Sequence, residues 1–305
     1  MAKLFLEKVV DWVRIYTDEP TITAKYTEDN LYDLIQTEWT TIMEQLNLSA
    51  QTPIIVRHRI TVVEDQKVYL LPPTIGQVLR IMMLDTNGGV QGEVYPRSRW
   101  NPAGCGVAIE GNTLYLDPTW GGSTVYIELD YMPTGDVMLH DGTIDSDDSI
   151  VNDVDENTCT VVLAATPDNG SLDTRPNAYA GSILRIISAG TNNYEQMRVI
   201  QSYDVATRTA TVAPAFTAAL LPSVTGEDIS YEIAPFLSPG KQNIVALAVS
   251  RHIITTEGNI QRYGMITRQY KEMLRSVRLH LANVEQIVGM HFKKDTAANV
   301  YYANW

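Results

Sequence analysis

Cysteine is nearly missing from this 305-residue chain, which has only Cys105 and Cys159, far apart in sequence. Two distant cysteines make neither a metal-ligand spacing nor a disulfide framework, and a reducing, cytosolic setting is expected. Long apolar runs are missing too. No stretch reaches the roughly 18 residues of a membrane-spanning helix, so no membrane contact is expected. At the N-terminus Leu4, Phe5, Val9, Val10 and Val13 are interrupted by Glu7, Lys8, Asp11 and Arg14. That pattern predicts an amphipathic helix over Met1 to Tyr16, not a signal peptide. Catalytic spacings are missing as well. The histidines (His58, His140, His252, His280 and His291) include no pair at i, i+4, and there is no C-x-x-C. Gly104-Cys105-Gly106 lacks the strand–turn–helix setting of a nucleophile turn. No glycine-rich loop leads from a strand into a helix to cradle phosphate. No catalytic activity, cofactor or metal is therefore expected.

Charge is present but unevenly placed. The formal net charge is −13. Residues 136–232 hold 15 acidic and 4 basic side chains, whereas residues 241–305 hold 9 basic and 4 acidic. An acidic protein does not grip nucleic acid non-specifically. The basic C-terminal segment is either a surface for an acidic protein or a solvated helix face.

Taken in order, the chain predicts a second helix capped at Thr27, with Glu28 and Asp29 in its first turn, running to about Leu46. Its apolar stripe is Leu31, Leu34, Ile35, Trp39, Ile42, Met43 and Leu46. Strands follow at 54–63 and 67–71, read as a hairpin about Glu64-Asp65-Gln66. Further strands are expected at 78–84, 108–110, 113–116 and 124–132, with Asn87-Gly88-Gly89 and Gly111-Asn112 as turns. Composition changes at Pro133-Thr134-Gly135. Residues 141–157 read as an acid-rich loop, either solvated or a weak calcium site, although the ligand spacing of a calcium loop is not met. Short strands at 160–163, 183–187, 196–203, 207–213 and 229–233 predict an all-β segment.

The C-terminus reads as a helix over 239–256 and a longer one over 259–288. In the latter, Tyr263, Ile266, Tyr270, Met273, Val277, Leu281, Val284 and Val288 form one apolar stripe. Arg262, Arg268, Lys271, Arg275 and Arg278 form the other face, of which Arg268, Lys271, Arg275 and Arg278 are candidates for subunit packing or for facing a partner. The last residues, 289–305, are expected to be an irregular docking tail. They contain Phe292, Tyr301, Tyr302 and Trp305, which are costly to leave in water and dock either on the chain itself or on a neighbour.

The predicted fold class is α+β. A helical bundle with a small β-sheet forms a host domain (1–135 and the helix pair 236–288), an all-β sandwich or barrel is inserted at 136–235, and a tail follows at 289–305.

This order of parts resembles a known family. It comprises an N-terminal helix pair, a hairpin shaped like the Ile60-to-Pro72 segment, strands like Val78-Leu79-Arg80-Ile81 and Tyr126-Ile127-Glu128-Leu129-Asp130-Tyr131, and a two-helix end over 241–285. It is similar to the head-to-tail adaptor (connector) proteins of tailed bacteriophages, of the podovirus type. The segment from Ala180 through Val212 also resembles a β-module of phage structural proteins. Ile187-Ser188-Ala189-Gly190-Thr191 and Arg198-Val199-Ile200-Gln201-Ser202-Tyr203 carry that likeness, while Asn192, Asn193 and Tyr194 stand where the module has small residues. The resemblance implies a structural virion protein at the neck, assembled in the host cytoplasm as a homo-oligomeric ring, usually a dodecamer. The ring would sit beneath the portal protein, with a C-terminal extension inserted into it. Tail fibres or the tail nozzle would attach below, and phage DNA would pass the lumen without specific binding during genome ejection. The other reading is a tail-associated binding module whose β-segment recognises carbohydrate or another tail protein. The absence of tryptophan from residues 136–232 counts against carbohydrate.

Overall fold

The structure, a computed structural model, describes residues 4–19, 25–49, 55–63, 66–94, 107–116, 126–145, 150–152, 158–188, 195–213, 215–216, 228–235, 237 and 239–292, with the backbone alone for 280–292. Three antiparallel sheets account for most of it. Strands β1 (Val56–Thr61), β3 (Ile75–Leu84), β4 (Val90–Val94) and β7 (Tyr126–Pro133) form a sheet in the order β1-β7-β3-β4. Strands β2 (Val68–Leu70), β5 (Val107–Glu110) and β6 (Thr113–Leu116) form a small one, ordered β2-β6-β5. The largest contains β8 (His140–Asp145), β9 (Ile150–Asn152), β10 (Cys159–Val162), β11 (Asn169–Gly170), β12 (Ile183–Ser188), β13 (Glu195–Asp204), β14 (Thr209–Ala213) and β15 (Asp228–Ala234). Its order is β11-β8-β15-β12-β13-β14-β10-β9, an open sheet that curls like part of a barrel.

This overturns the expected helical bundle with a small sheet. The protein is mainly β, with four helices among the described residues: α1 (Phe5–Thr17), α2 (Glu28–Ser49), α3 (Asn243–Glu257) and α4 (Ile260–Phe292). Nor do the later strands stack as a sandwich; they join one sheet. The physical reason is signal length. Helices of 13 to 33 residues print a clear periodicity, whereas β2, β9 and β11 have two or three residues each and print none.

Two local expectations also fail. β1 and β2 are not a hairpin, because β1 pairs with β7 and β2 with β6. The Tyr69 hydroxyl joins the two segments instead, accepting from Val63 N at 2.9 Å and donating to Val63 O at 3.3 Å. The acid-rich loop begins as a strand, β8, and Asp141 is fully buried in it. That position is not a solvated loop. The rest of that stretch falls partly outside the described residues.

Helix α3 is the hub. Ile244 to Ser250 are seven consecutive buried residues. A helix apolar all round must be enclosed, and α1, α2 and α4 all pack on it. It ends at Gly258, whose left-handed backbone (φ 73°) lets its N–H reach the carbonyls of Ile254 and Thr255. α2 starts as expected, with Thr27 Oγ1 accepting from Asn30 N at 3.3 Å.

α2 also fastens the linker between β7 and β8. Gln36 accepts from Leu139 N at 2.9 Å and donates to Val137 O. Thr40 donates to Gly135 O and Asn47 to Pro133 O, at 3.4 and 2.7 Å.

The β13–β14 turn carries a local strain. Asp204 accepts from Ala206 N at 3.0 Å and from the Thr207 hydroxyl at 2.7 Å, and Arg208 is left with φ 57°. A side chain in that region is disfavoured by about 1 kcal/mol or more. Arg208→Gly is therefore expected to stabilise the protein by about 0.5–1 kcal/mol, read as a higher urea midpoint with an unchanged slope.

Candidate interaction surfaces

Four places combine charge with order, and the first of them is fully internal. The first is a row across the large sheet. Cross-strand register sets Asp141 opposite Glu232 and Glu232 opposite Arg185. All three are buried, at 0%, 1% and 1% exposure. Arg185 Nε lies 2.6 Å from Glu232 Oε1, while Glu232 Oε2 accepts the first N–H of α1, from Phe5, at 2.5 Å. A carboxylate at a helix N-terminus meets both an orphan N–H and the positive end of the dipole. Burial pushes the Glu232 carboxyl up, and Arg185 and the Phe5 N–H pull it back. On the opposite face of the sheet His140 lies against the rings of Tyr179 and Tyr231, at 5.2 and 5.7 Å between centroids. Burial lowers its pKa to about 4, so it is neutral.

The second place is the outer face of the four-stranded sheet. Glu128 and Asp130 are 5% and 7% exposed because arginines cover them. Arg57 Nε reaches Asp130 at 2.8 Å, Arg80 Nη2 reaches it at 2.6 Å, and Arg59 Nε reaches Glu128 at 2.8 Å.

The third is the junction of α2, α3 and α4. Glu38 meets His252 Nδ1 at 3.1 Å and Arg251 at 3.9 Å. Arg251 lies 4.4 Å over the Tyr270 ring, and the Tyr270 hydroxyl donates to Gln45 Oε1 at 2.8 Å. These contacts fix α4 on the body of the protein.

The fourth is the face of α4 itself, where the sequence places its candidate residues. Arg268, Lys271 and Arg275 are exposed together on it. Arg278 is not with them. It turns inward and donates to Gln45 O at 3.2 Å, near the end of α2, where a cation suits the helix dipole. α4 also continues to Phe292, past the expected end near Val288. Tyr301, Tyr302 and Trp305 lie outside the described residues.

The internal row was missed by sequence reasoning. Its signal was present in Ile183-Leu184-Arg185-Ile186-Ile187 and Ile229-Ser230-Tyr231-Glu232-Ile233, each with one charged residue inside an otherwise uncharged strand. Two such strands carrying opposite charges are candidates for neighbours.

Among the described residues no group of three or more His, Cys, Asp or Glu side chains is placed to hold a metal ion, and no helix is long and apolar enough to cross a membrane. A cavity of about 30 Å³ lies between Trp39 and Met43 of α2 and the 180–182 and 234–235 segments. It has room for about one or two waters. No family model matches the chain, and no curated protein matches it in sequence.

Proposed function

We propose that this chain is a structural protein of a tailed-phage neck, a head-to-tail adaptor that assembles as a ring and joins the portal to the tail. The reading starts from the resemblance in the quoted segments. It is supported by how two of those segments pair, although the Ile60-to-Pro72 hairpin does not form. Ile183–Ser188, Glu195–Asp204 and Thr209–Ala213 are consecutive antiparallel neighbours, and the Val78–Ile81 stretch of β3 lies against the Tyr126–Tyr131 stretch of β7.

The observation that carries the reading is the reach of α4. Lys241 Nζ meets Ser276 Oγ at 2.5 Å, so α4 passes the start of α3 there. Arg278 then binds the end of α2, and the helix runs on for fourteen more residues to Phe292. At 1.5 Å per residue that is about 20 Å of helix leading into the aromatic tail. A helix anchored on the body at one end and carrying Phe292, Tyr301, Tyr302 and Trp305 at the other suits a second protein as its target.

Deleting residues 290–305 is expected to leave the protein folded, with an unchanged urea midpoint, and to abolish its attachment to portal protein. Particle mass after mixing the two proteins is the measurement. Capture of the truncated chain at full strength would refute the role of the tail. If full-length protein adds no mass to the portal, the adaptor reading itself fails.

A further inference from the structure

We propose that the outer face of α4 docks against the acidic α1–α2 face of a second copy of this chain. The inference rests on the adaptor reading and names the surfaces through which copies meet.

α4 has two faces. Ile266, Tyr270, Leu274 and Val277 are buried on the inner one. Met265, Arg268, Glu272, Arg275 and Leu279 recur at i, i+3, i+7, i+10 and i+14, and all five are exposed. That spacing is one stripe of a helix, opposite the buried one. A purely solvated stripe has no need of large apolar side chains, yet Met265 and Leu279 are 63% and 56% exposed at its two ends. Lys271 lies beside the stripe, also exposed. Arg268 pairs with Glu272 at 3.1 Å, but both side chains are open to solvent, at 83% and 66%. Such a pair holds its arginine weakly.

Charge selects the occupant. Residues 260–279 of α4 carry five basic side chains and one acidic, whereas residues 5–49 carry nine acidic and three basic. Two α4 faces set together would oppose like charges, so a symmetric α4–α4 contact is disfavoured. The acidic side offers Glu28, Asp29 and Asp33 on the first turns of α2, all exposed, with Glu7 of α1 exposed nearby. Glu28 lies 3.5 Å from Arg14 of α1, so the first turn of α2 sits against α1. α1 adds an exposed apolar side chain on the face that carries Glu7, since Ile15 is 69% exposed and lies eight residues further along. The two faces match in scale: Arg268 to Arg275 spans about 10 Å and Glu28 to Asp33 about 7.5 Å. Within one chain Arg262 and Asp18, at the edge of both sets, lie 3.9 Å apart. A contact between unlike faces is head-to-tail, and it closes into a ring when the rotation allows.

The test is a charge exchange on the full chain, read by analytical ultracentrifugation. The wild type is expected to self-associate, less so as salt rises. Arg268→Glu, Lys271→Glu and Arg275→Glu together should weaken association about 100-fold, and so should Glu28→Lys, Asp29→Lys and Asp33→Lys together. The α4 variant should keep the wild-type urea midpoint, since its three sites are exposed. The α2 variant gives up two carboxylates at a helix N-terminus and the Glu28–Arg14 pair at 3.5 Å, so its midpoint should fall, and association is compared at a temperature where its urea transition shows it folded. Mixing the two variants would present the reversed α4 face of one to the reversed α2 face of the other and should restore mixed complexes. If the wild type assembles and neither variant weakens it, the proposed surfaces are wrong and the adaptor reading stands. If the wild type remains a monomer both alone and in the presence of portal protein, the adaptor reading fails with them.

Discussion

Glu232→Ala should destabilise the protein by about 3–5 kcal/mol. The loss has two parts. Arg185, 1% exposed, would lose the carboxylate 2.6 Å away and keep its charge, and breaking a buried ion pair from one side is among the largest single-site penalties. Phe5 N would also lose its acceptor at the start of α1, a buried donor worth about 1–3 kcal/mol when left unmade. Glu232→Gln separates the two, because the amide oxygen still accepts from Phe5 while Arg185 loses its carboxylate at 2.6 Å. Combining Glu232→Gln with Arg185→Met should then recover most of the loss, because both charges leave together and the cap of α1 remains. Urea unfolding gives the energies. Hydrogen exchange over Phe5 to Val10 separates a local release of α1 from global loss. Equal stability for Glu232→Ala and the double variant would show that the buried charge is not the controlling term.

That row also shows where sequence reading stops. Features set by neighbours along the chain were legible. Examples are the Thr27 cap, the Gly258 stop and the β5–β6 hairpin, whose Gly111 takes φ 58°. The exposed basic face of α4 was legible for the same reason, since Arg268, Lys271 and Arg275 are spaced by its own period. Arg278 was not, because its partner, Gln45, is 233 residues away. Partners of strands were likewise invisible. β1 lies next to β2 in sequence and pairs with β7 in space. Asp141 read as part of a solvated loop because acidic composition favours water, yet register with β15 and the cover of Tyr32 and Asn169 carry it inside. The fold class was misjudged for the same physical reason: helices announce themselves locally, whereas a sheet exists only through distant pairings.

Replacing Asp141 with Asn should stabilise the protein at pH 8 by about 2–4 kcal/mol and leave it unchanged at pH 4. Asp141 is fully buried; it accepts from Asn169 Nδ2 at 2.8 Å, and Asn169 accepts in turn from the Tyr32 hydroxyl at 2.6 Å. Its second oxygen, Oδ2, has no hydrogen-bond partner among the described residues. Burial is the main force raising its pKa, to about 7, with Glu232, Glu7 and Asp168 adding to it and Asn169 opposing. The unfolded value is about 3.9. Between those values the folded chain holds a proton that the unfolded chain has released, so stability falls as pH rises through the window. Asparagine keeps an acceptor for Asn169 and carries no charge to bury, so the variant escapes that loss.

Two histidines run the other way. Burial lowers His58 and His140 to about 4, below the unfolded value of about 6.5. Their contribution is therefore complete above pH 6.5 and lost as pH falls toward 4. In the wild type one falling carboxyl contribution is set against two rising histidine ones over most of that interval. Without Asp141 the rise from pH 4 to 6.5 should be about twice as steep, and the plateau above it higher. Urea unfolding of both proteins from pH 4 to 8 measures this directly. A stability difference that stays the same at every pH would mean that the Asp141 carboxyl is not titrating in the folded sheet.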